Sequence, residues 1–369
     1  MLPRRPLLAV VTASLLAGTV PAAAQLGTPP SAATDAASPI APEAAWYPIS
    51  IESREPPFYQ GAAYTRLDYI PLADAEAAER WEICASVPPT TFEYFRAMRQ
   101  GLEAEAARQG VAITVTTVDD FDVETQVAQL DACLEAEADA LIVGAVGPEG
   151  YGAVLARARA AGVPVINAVT GFRHDNVTAR IVTDRIDVGR AAGRFLADRH
   201  PAGAELMEVV WLHGPPNSDV STDVDLGFRA GIESGEIAIV HAASIRLDDA
   251  SIRDEIRSVL AADTSFGALV GGGRTVRLAA EELAAAFPAG AIELVSVTVT
   301  APVVAGIEAG RVFAAVNDKA LAQARIGVDL AVRAIEGRPH LQDMRPTLGI
   351  VDRSNVDVFD RGAILPAVE

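Results

Sequence analysis

Short apolar segments alternate with longer amphipathic segments along most of this chain. Between residues 81 and 167 the apolar segments are brief, and the segments between them repeat apolar positions at helical spacing, as Val127, Leu130 and Leu134 do. Gly110 and Gly162 stand where two of these helices should end, since glycine readily adopts the left-handed C-cap conformation. The pattern predicts strands at 81–86, 111–118, 140–143 and 163–167 and helices at 92–109, 124–138 and 151–161.

The same alternation restarts in the second half of the chain. It predicts helices at 188–198, 226–234, 251–262 and 275–286 and strands at 206–212, 237–243, 268–270 and 292–298. Strands that alternate with helices at this period form right-handed βαβ units around parallel sheets. We therefore expect an α/β protein with two doubly wound, parallel-sheet lobes and ligand-binding loops at the carboxyl ends of the strands.

The N-terminal segment has the pattern of an export signal. Arg4 and Arg5 precede an apolar run at 7–20, and small residues follow at 22–24. These features are typical of a secretory signal peptide, and the run is shorter than the ~20 residues of a membrane span. We predict a cleaved signal peptide at 1–24, with an uncleaved anchor as the alternative. The mature protein should then be exported to the periplasm without inserting into the membrane.

The residues that follow the signal have a different composition. Residues 25–45 are dominated by Pro, Ala, Ser and Thr, which bury too little surface to offset the entropy of ordering them. We predict a disordered leader over this range. Ordered structure should begin near Trp46, where aromatic side chains first appear.

Composition and charge narrow the classes of function. The chain has 369 residues and a formal net charge of -19, so it cannot supply the counterion release that binding to a nucleic-acid backbone requires. Two cysteines and five widely spaced histidines argue against a metal site. The sequence contains neither a nucleophile elbow nor a dinucleotide fingerprint, so we expect a protein that is not an enzyme and uses no cofactor.

Several spaced segments resemble one family. WEICASVPPTTFEYF at 81–95, QVAQLDACLEAEADALIV at 126–143 and ARAAGVPVI at 158–166 resemble the first lobe of a type I periplasmic binding protein, and RIVTDRIDVGRAAGRFLADR at 180–199 resembles the crossover into its second lobe. The resemblance implies three chain crossings that form a hinge, near 183–184, 316–317 and 350–352. It implies an N-terminal lobe of 46–183 plus 317–350 and a C-terminal lobe of 184–316 plus 351–369.

Other segments resemble the TorT-like branch of that superfamily, whose members sense trimethylamine N-oxide in the periplasm. They are WYPISIESREPPF at 46–58, ALVGGGRTVRLAAEEL at 268–283 and VSVTVTAPVVAGIEAGRVFAAVND at 295–318. This resemblance implies a protein that binds trimethylamine N-oxide or another small polar or anionic ligand. It also implies a partner, the periplasmic domain of a sensor histidine kinase in two-component signal transduction. The alternative is a substrate-binding protein of an ABC importer for a sugar or another small solute.

The resemblance also indicates ligand-binding residues. A methylated cation is bound by aromatic ring faces, and the branch has a Tyr-Trp pair where this chain has Tyr94 and Phe95. Two further aromatic positions of the branch fall on Arg185 and Thr298. A guanidinium repels a cation and prefers a carboxylate, a phosphate or a polar oxygen, so these departures favour a different ligand. The alternatives are helix-face packing for the aromatic pair and a hinge salt bridge from Arg185 to Asp184 or Asp187.

Loop positions complete the predicted site. Asp184 lies at the first crossing, and Gly147 lies in a loop that follows a strand. Gly272 and Arg274 belong to a glycine-rich turn before a helix, where free backbone N–H groups could hold an anionic ligand atom. The alternative for this turn is a tight connection at the edge of the cleft.

The two cysteines lie on adjacent predicted elements. Cys84 falls on the first strand of the alternating pattern, and Cys133 falls on the helix that crosses back over it. In an oxidising periplasm these residues could pair as a disulfide, or they could remain buried free thiols.

Overall fold

The computed structural model describes residues 46–55, 63–262 and 265–358, so the predicted signal peptide and leader lie outside the described residues. Within these ranges no helix is both long enough and apolar enough to cross a membrane. The helices are α1 (Glu93–Gln109), α2 (Val123–Glu135), α3 (Gly152–Ala161), α4 (Arg185–Arg199), α5 (Asp219–Ile232), α6 (Asp249–Ala261), α7 (Gly273–Leu283), α8 (Ala301–Glu308) and α9 (Ala320–Ile335).

The strands of the described chain fall into two sheets. They are β1 (Ile49–Arg54), β2 (Thr65–Tyr69), β3 (Glu82–Val87), β4 (Ala112–Thr117), β5 (Ala140–Val143), β6 (Val165–Val169), β7 (Ala179–Val182), β8 (Met207–His213), β9 (Ile237–Ser244), β10 (Ala268–Gly271), β11 (Glu293–Ser296), β12 (Ala314–Asn317), β13 (Asp343–Pro346) and β14 (Gly349–Asp352).

The first sheet, with the helices packed on it, is called lobe 1. Among the described residues it has eight strands in the order β2-β1-β13-β7-β6-β5-β3-β4, parallel from β13 to β4 and antiparallel at β1 and β2. Side chains alternate between its faces: Ile83 and Ile142 pack with α1 and α9, whereas Cys84 and Leu141 pack with α2 and α3. Helices therefore cover both faces, as the doubly wound prediction requires.

The second sheet and its helices are called lobe 2. Its six described strands run in the order β14-β12-β11-β10-β8-β9, and only β14 is antiparallel to its neighbour. One face packs against α6, α7 and α8 through residues such as Ile252 and Val276. The other packs against α4 and α5 through Val188 and Phe228. The prediction of an α/β fold with two mainly parallel sheets is confirmed.

Within the described ranges the chain passes between the two sheets three times. The first crossing lies between β7 and α4, at the predicted 183–184. The second lies between β12 and α9, just after the predicted 316–317. The third lies at 347–348, before the predicted 350–352, because the whole of β14 (Gly349–Asp352) is already hydrogen-bonded to β12. The predicted boundary at 350/351 therefore falls inside a strand of lobe 2.

Some elements differ from the predicted pattern. Helix α5 begins at Asp219 instead of 226, because the Ser218 side chain accepts a hydrogen bond from the backbone N–H of Ser221 and caps the helix there. Helix α9 was not predicted, and its first thirteen residues, Ala320 to Val332, are all buried. Arg325, Asp329 and Arg333 recur every four residues along this helix, so a helical period was present in the sequence and was overlooked.

The structure joins Cys84 and Cys133 in a disulfide. Cys84 lies on β3 and Cys133 on α2, and their Cα atoms are 5.9 Å apart. The bond ties the strand that leads into α1 to the helix packed on the outer face of lobe 1.

Candidate functional site

Residues that follow the carboxyl ends of strands in the two lobes contact each other. In lobe 1 these residues are the loop and first turn of α1 after β3, and the end of β6. In lobe 2 they are the first turn of α7, which follows β10, and the first turn of α4, which the chain enters from β7 of lobe 1 at the first crossing. The carboxyl ends of parallel strands are where α/β proteins bind ligands, so this region is the candidate site.

An aromatic cluster forms the lobe 1 side of the site. Tyr94 and Phe95 occupy the first turn of α1, with ring centroids 5.3 Å apart. Phe95 also contacts Phe92 and Phe121, at centroid distances of 6.2 and 6.1 Å. Phe121 is 44% exposed, so the outer end of the cluster is open to solvent. The rings meet mostly edge to face, which is a favourable aromatic geometry.

Arg185 contacts this aromatic cluster from lobe 2. Its Nη2 donates to the Tyr94 hydroxyl at 3.2 Å and to the Val169 carbonyl at 3.4 Å, and its Nη1 donates to Oδ2 of Asp318 at 3.2 Å. The Tyr94 hydroxyl in turn donates to the same Asp318 oxygen at 2.5 Å. The predicted alternative of a salt bridge to Asp184 or Asp187 is wrong, because the carboxylate partner is Asp318.

Burial and the neighbouring groups shift the pKa values of Tyr94 and Arg185. Burial is the largest influence on Tyr94 and, with Asp318, raises the pKa of its phenol well above the ordinary value of 10, although Arg185 opposes it. Burial acts to lower the pKa of Arg185, but Tyr94 and Asp318 outweigh it and raise that pKa overall. Tyr94 is therefore a neutral hydrogen-bond donor and Arg185 a fixed cation.

Two unusual backbone conformations flank the cluster. Val169 has φ of 68° and Lys319 has φ of 58°, values that residues other than glycine rarely adopt. Val169 is fully buried, and its carbonyl accepts from Arg185. Lys319 follows Asp318 at the second crossing, where its Nζ donates to the Thr347 carbonyl at 2.6 Å and the Thr347 hydroxyl at 2.7 Å. Such outliers concentrate at functional sites, where surrounding structure holds them in place.

Arg274 makes a second contact between the lobes. From the first turn of α7 its Nη2 donates to the Thr91 carbonyl of lobe 1 at 2.9 Å, and its guanidinium carbon lies 4.7 Å from the centre of the Phe92 ring. Its Nη1 donates to the Leu247 carbonyl of lobe 2 at 2.8 Å. The side chain therefore spans the opening of the site at the aromatic wall.

The glycine-rich turn before α7 is closely packed. The N–H of Gly273 donates to the Thr298 hydroxyl at 3.0 Å, and a Cβ at Gly273 would meet that oxygen at the same distance. Thr298 therefore already occupies one of the donors that an anion would need. Gly272, the N-cap, faces open space within 4 Å. The tight-turn alternative accounts for these contacts.

Asp184 and Gly147 stand apart from the cluster. The Asp184 side chain caps α4 by accepting from the backbone N–H groups of Ile186 and Asp187. It also lines a cavity of about 390 Å³ on α4 together with Arg345. At Gly147 a Cβ would meet the Val123 side chain at 2.7 Å. Neither residue shares a hydrogen bond or ion pair with Arg185 among the described residues.

Residue-level prediction missed Asp318. It follows the buried strand β12 and is 3% exposed, and its backbone carbonyl also accepts from the Gln323 side chain at 2.7 Å. The available signal was a carboxylate directly after an apolar strand, the position where site residues collect. Phe92, at the start of the predicted helix 92–109, and Phe121, in a loop, were also not identified as site residues. Among the described residues no group of three or more potential metal ligands occurs.

Comparison with known proteins identifies several relatives. The periplasmic binding protein domain family model matches residues 83–339. The periplasmic protein TorT of Escherichia coli (strain K12) is 25% identical over 288 residues, which cover 76% of this chain and 81% of TorT.

Two solved structures share the architecture. An ABC transporter solute-binding protein from Bradyrhizobium sp. BTAi1, with bound Bis-Tris, superposes with a TM-score of 0.80 at 26% identity, covering 87% of this chain and 96% of that chain. TorT in complex with the TorS sensor domain, without ligand, superposes with a TM-score of 0.71 at 25% identity, covering 78% of this chain and 97% of that chain.

Proposed function

This chain belongs to the periplasmic binding protein domain family, and from that premise we propose that it is a periplasmic ligand sensor of the TorT type. Members of this family bind solutes without chemical conversion, so it is not an enzyme. In this role the protein binds a small molecule between its lobes and presents the liganded state to the periplasmic domain of a sensor histidine kinase. The similarity to TorT along most of both chains supports the choice of partner.

The ligand is a small polar or anionic molecule. The observation that carries this choice is the Arg185 guanidinium, which lies 5.4 Å from the centre of the Tyr94 ring. A methylated cation needs that ring face, and a fixed positive charge on it opposes such a ligand. Trimethylamine N-oxide is therefore a less favoured ligand than a carboxylate or another oxygen-rich solute.

Signalling follows from movement of the lobes about the three crossings. The two lobes rotate as units about these crossings, with the third crossing at 347–348 and the whole of β14 moving with lobe 2, and they close on the ligand. A ligand favours the closed form only by binding it more tightly than the open form. Closure brings Arg274 onto Thr91 and Phe92, so these contacts report the closed state.

Export by a cleaved signal peptide at 1–24 completes the proposal. N-terminal sequencing of the protein recovered from a periplasmic fraction tests it. A mature terminus near residue 25 is expected, and a protein that retains Met1 in the membrane fraction contradicts it.

A second function is an ABC importer receptor for a sugar or another small solute. The similar solute-binding protein from Bradyrhizobium sp. BTAi1 favours it, because that structure covers more of this chain than the TorT complex does. The two functions differ in partner, since a receptor of this kind docks on a permease.

Co-purification distinguishes the two partners. The mature protein is mixed with the purified periplasmic domain of the histidine kinase encoded nearest to it, and separately with the cognate permease in detergent. The sensor function requires a complex with the kinase domain that changes with ligand. No kinase complex with or without ligand, together with permease binding, would establish the importer function instead.

A thermal-shift screen identifies the ligand class. Carboxylates, sugars, methylamines and trimethylamine N-oxide are compared on the wild-type protein and on Arg185→Ala. Carboxylates or other oxygen-rich solutes should raise the melting temperature of the wild type. Stabilisation by methylamine oxides alone, unaffected by the substitution, contradicts the ligand assignment.

A further inference from the structure

The Arg185 guanidinium has the surroundings of a bound organic cation. Its partners are a ring face, a carboxylate, a phenolic oxygen and a backbone carbonyl, and each presents negative potential. The pairing is buried, with 12% of the Arg185 side chain and 4% of the Asp318 side chain exposed. This set of groups is the one expected around a diffusible guanidinium or ammonium ligand.

The receiving groups are assembled without α4. Tyr94 comes from α1, the Val169 carbonyl from the end of β6, and Asp318 from the crossing after β12. Each is held by contacts independent of Arg185. The Tyr94 hydroxyl donates to the Asp318 carboxylate at 2.5 Å, and the Asp318 backbone carbonyl accepts from the Gln323 side chain at 2.7 Å. Val169 is held at φ of 68° by the turn in which the Thr170 N–H donates to the Ala168 carbonyl at 2.8 Å. The pocket should therefore persist when the arginine side chain is removed.

We propose that Tyr94, Asp318 and the Val169 carbonyl form an organic-cation site in lobe 1, and that Arg185 fills this site as a tethered cation in place of a diffusible cation. The inference deepens the proposed function and rests on it only in treating this region as the ligand site. It assigns guanidinium and alkylguanidinium compounds as the class of ligand that binds in this pocket when the Arg185 side chain is removed. It also explains why the intact protein should not bind a cation there.

Chemical rescue tests this inference. Arg185→Ala is titrated with N-ethylguanidinium chloride to about 20 mM, a range suited to so small a ligand, with sodium chloride at matched ionic strength as the reference. Melting temperature and isothermal titration calorimetry follow binding. At about ten times Kd the variant should gain roughly 3 °C or more in Tm, saturably, whereas the wild-type protein gains none.

Two variants serve as controls. Arg190→Ala removes another arginine of α4, one that pairs with Asp187 outside the cluster, and should not bind ethylguanidinium. Adding Asp318→Asn to Arg185→Ala should weaken binding at least about tenfold, because the charge-assisted partner is lost. Retention of full affinity in that double variant overturns the proposal, since the cation then binds elsewhere.

A second variant, with a longer side chain at position 185, is tested in case Arg185→Ala does not fold. Arg185→Met keeps an aliphatic stem against Tyr94 and should bind free guanidinium, the smallest probe. Saturable binding by either truncation, absent from the wild type and from Arg190→Ala, supports the tethered cation. The proposal is overturned if neither Arg185→Ala nor Arg185→Met binds saturably, or if the wild-type protein binds equally well. The kinase co-purification remains a separate test, so either proposal can fail alone.

Discussion

Two helices carry the central side chains of the site, and they are anchored differently. Helix α1 of lobe 1 presents Tyr94 in its first turn, and α4 of lobe 2 presents Arg185 in its first turn. Both pack at backbone contact distance on a neighbour. A Cβ at Gly101 of α1 would lie 2.4 Å from the Leu321 carbonyl oxygen, and one at Gly227 of α5 would lie 1.9 Å from the Ile186 carbonyl oxygen of α4.

Helix α1 has a second anchor in a buried polar network. Glu105, fully buried, accepts from the Trp46 indole at 3.1 Å and pairs with Arg108. Burial raises the pKa of this carboxyl, and Arg108 opposes the rise. Gln109 donates to Glu105 at 3.2 Å and to Asp329 of α9 at 3.4 Å. These bonds fix α1 against α9 and the N-terminal segment.

Helix α4 relies mainly on packing. Val188, Ala192 and Leu196 are buried in the apolar cluster of lobe 2, whereas the Asp187–Arg190 pair is about one-third exposed. The comparison indicates that polar contacts as well as packing hold the lobe 1 helix that carries Tyr94. The lobe 2 helix that carries Arg185 is positioned mainly by packing. The predictions below test that difference.

The largest effect should come from Asp318→Asn. Removing this carboxylate leaves the buried Arg185 cation without its charged partner, which typically costs about 3–5 kcal/mol. The free energy of unfolding, measured by urea titration, should fall by that amount. Asp187→Asn, whose partners are half-buried, should cost about 1 kcal/mol or less. Equal losses in the two variants would contradict the contrast between a buried and an accessible pair.

Loss of the disulfide should destabilise lobe 1 next. Cys84→Ser with Cys133→Ser releases a loop of sequence separation 49, and such a release costs about 2–4 kcal/mol. Urea unfolding of the wild type with and without dithiothreitol measures the effect independently of the substitutions. The double variant should not respond to the reductant, and an unchanged wild-type midpoint in reductant is the contradictory result.

Glycine substitutions compare the two helix contacts directly. Gly227→Ala and Gly101→Ala should each cost about 1–3 kcal/mol, because a methyl group cannot fit at these carbonyl distances. Gly349→Ala, at a position with open space around it, is the matched control and should be nearly neutral.

In the Arg185→Ala background, Gly101→Ala should preserve ethylguanidinium binding because the polar network still positions α1. Loss of that binding would show that the network does not fix the wall.

A smaller effect is expected at Arg274. Arg274→Ala removes one hydrogen bond and one cation–π contact to lobe 1, which together contribute about 1 kcal/mol at a partly exposed position. Small-angle scattering should show a larger radius of gyration in the variant. Arg277→Ala, which pairs with Glu281 and Asp249 inside lobe 2, should leave the radius unchanged.

The last effect is a pH dependence at Lys319, which appears as a slope and not as a fixed cost. Burial, with Arg66, lowers the pKa of this amine to about 8 from its ordinary 10.5, although Asp318 opposes the shift. Between these values the unfolded chain holds a proton that the folded chain has released, so stability should rise with pH. Relative to Lys319→Met, the wild type should gain stability between about pH 7 and 9.5 in urea titrations. A relative loss would contradict the lowered pKa.

Alternating strands and helices were predictable because their apolar periods are local properties. The strand Ala140–Val143 was predicted at both ends, and Gly110 and Gly162 end their helices in the left-handed conformation, as predicted. Strand β1 was missed although Ile49 and Ile51 alternate with Ser50 and Glu52, a pattern typical of a strand with one buried face. Helix α9 was missed although its charged residues Arg325, Asp329 and Arg333 repeat at helical spacing.

The sequence by itself determined the α/β class, the repeated βαβ units and the presence of Tyr94 and Arg185 near strand ends, since each depends on neighbouring residues. Only the tertiary structure decided that Arg185 pairs with Asp318, 133 positions along the chain, and not with the adjacent carboxylates. The reason is geometric. Asp184 is used as a helix cap and Asp187 pairs with Arg190 and Arg345. Both carboxylates near Arg185 in the sequence are therefore already paired, and the crossing after β12 places the Asp318 carboxylate within hydrogen-bond distance of the Arg185 guanidinium.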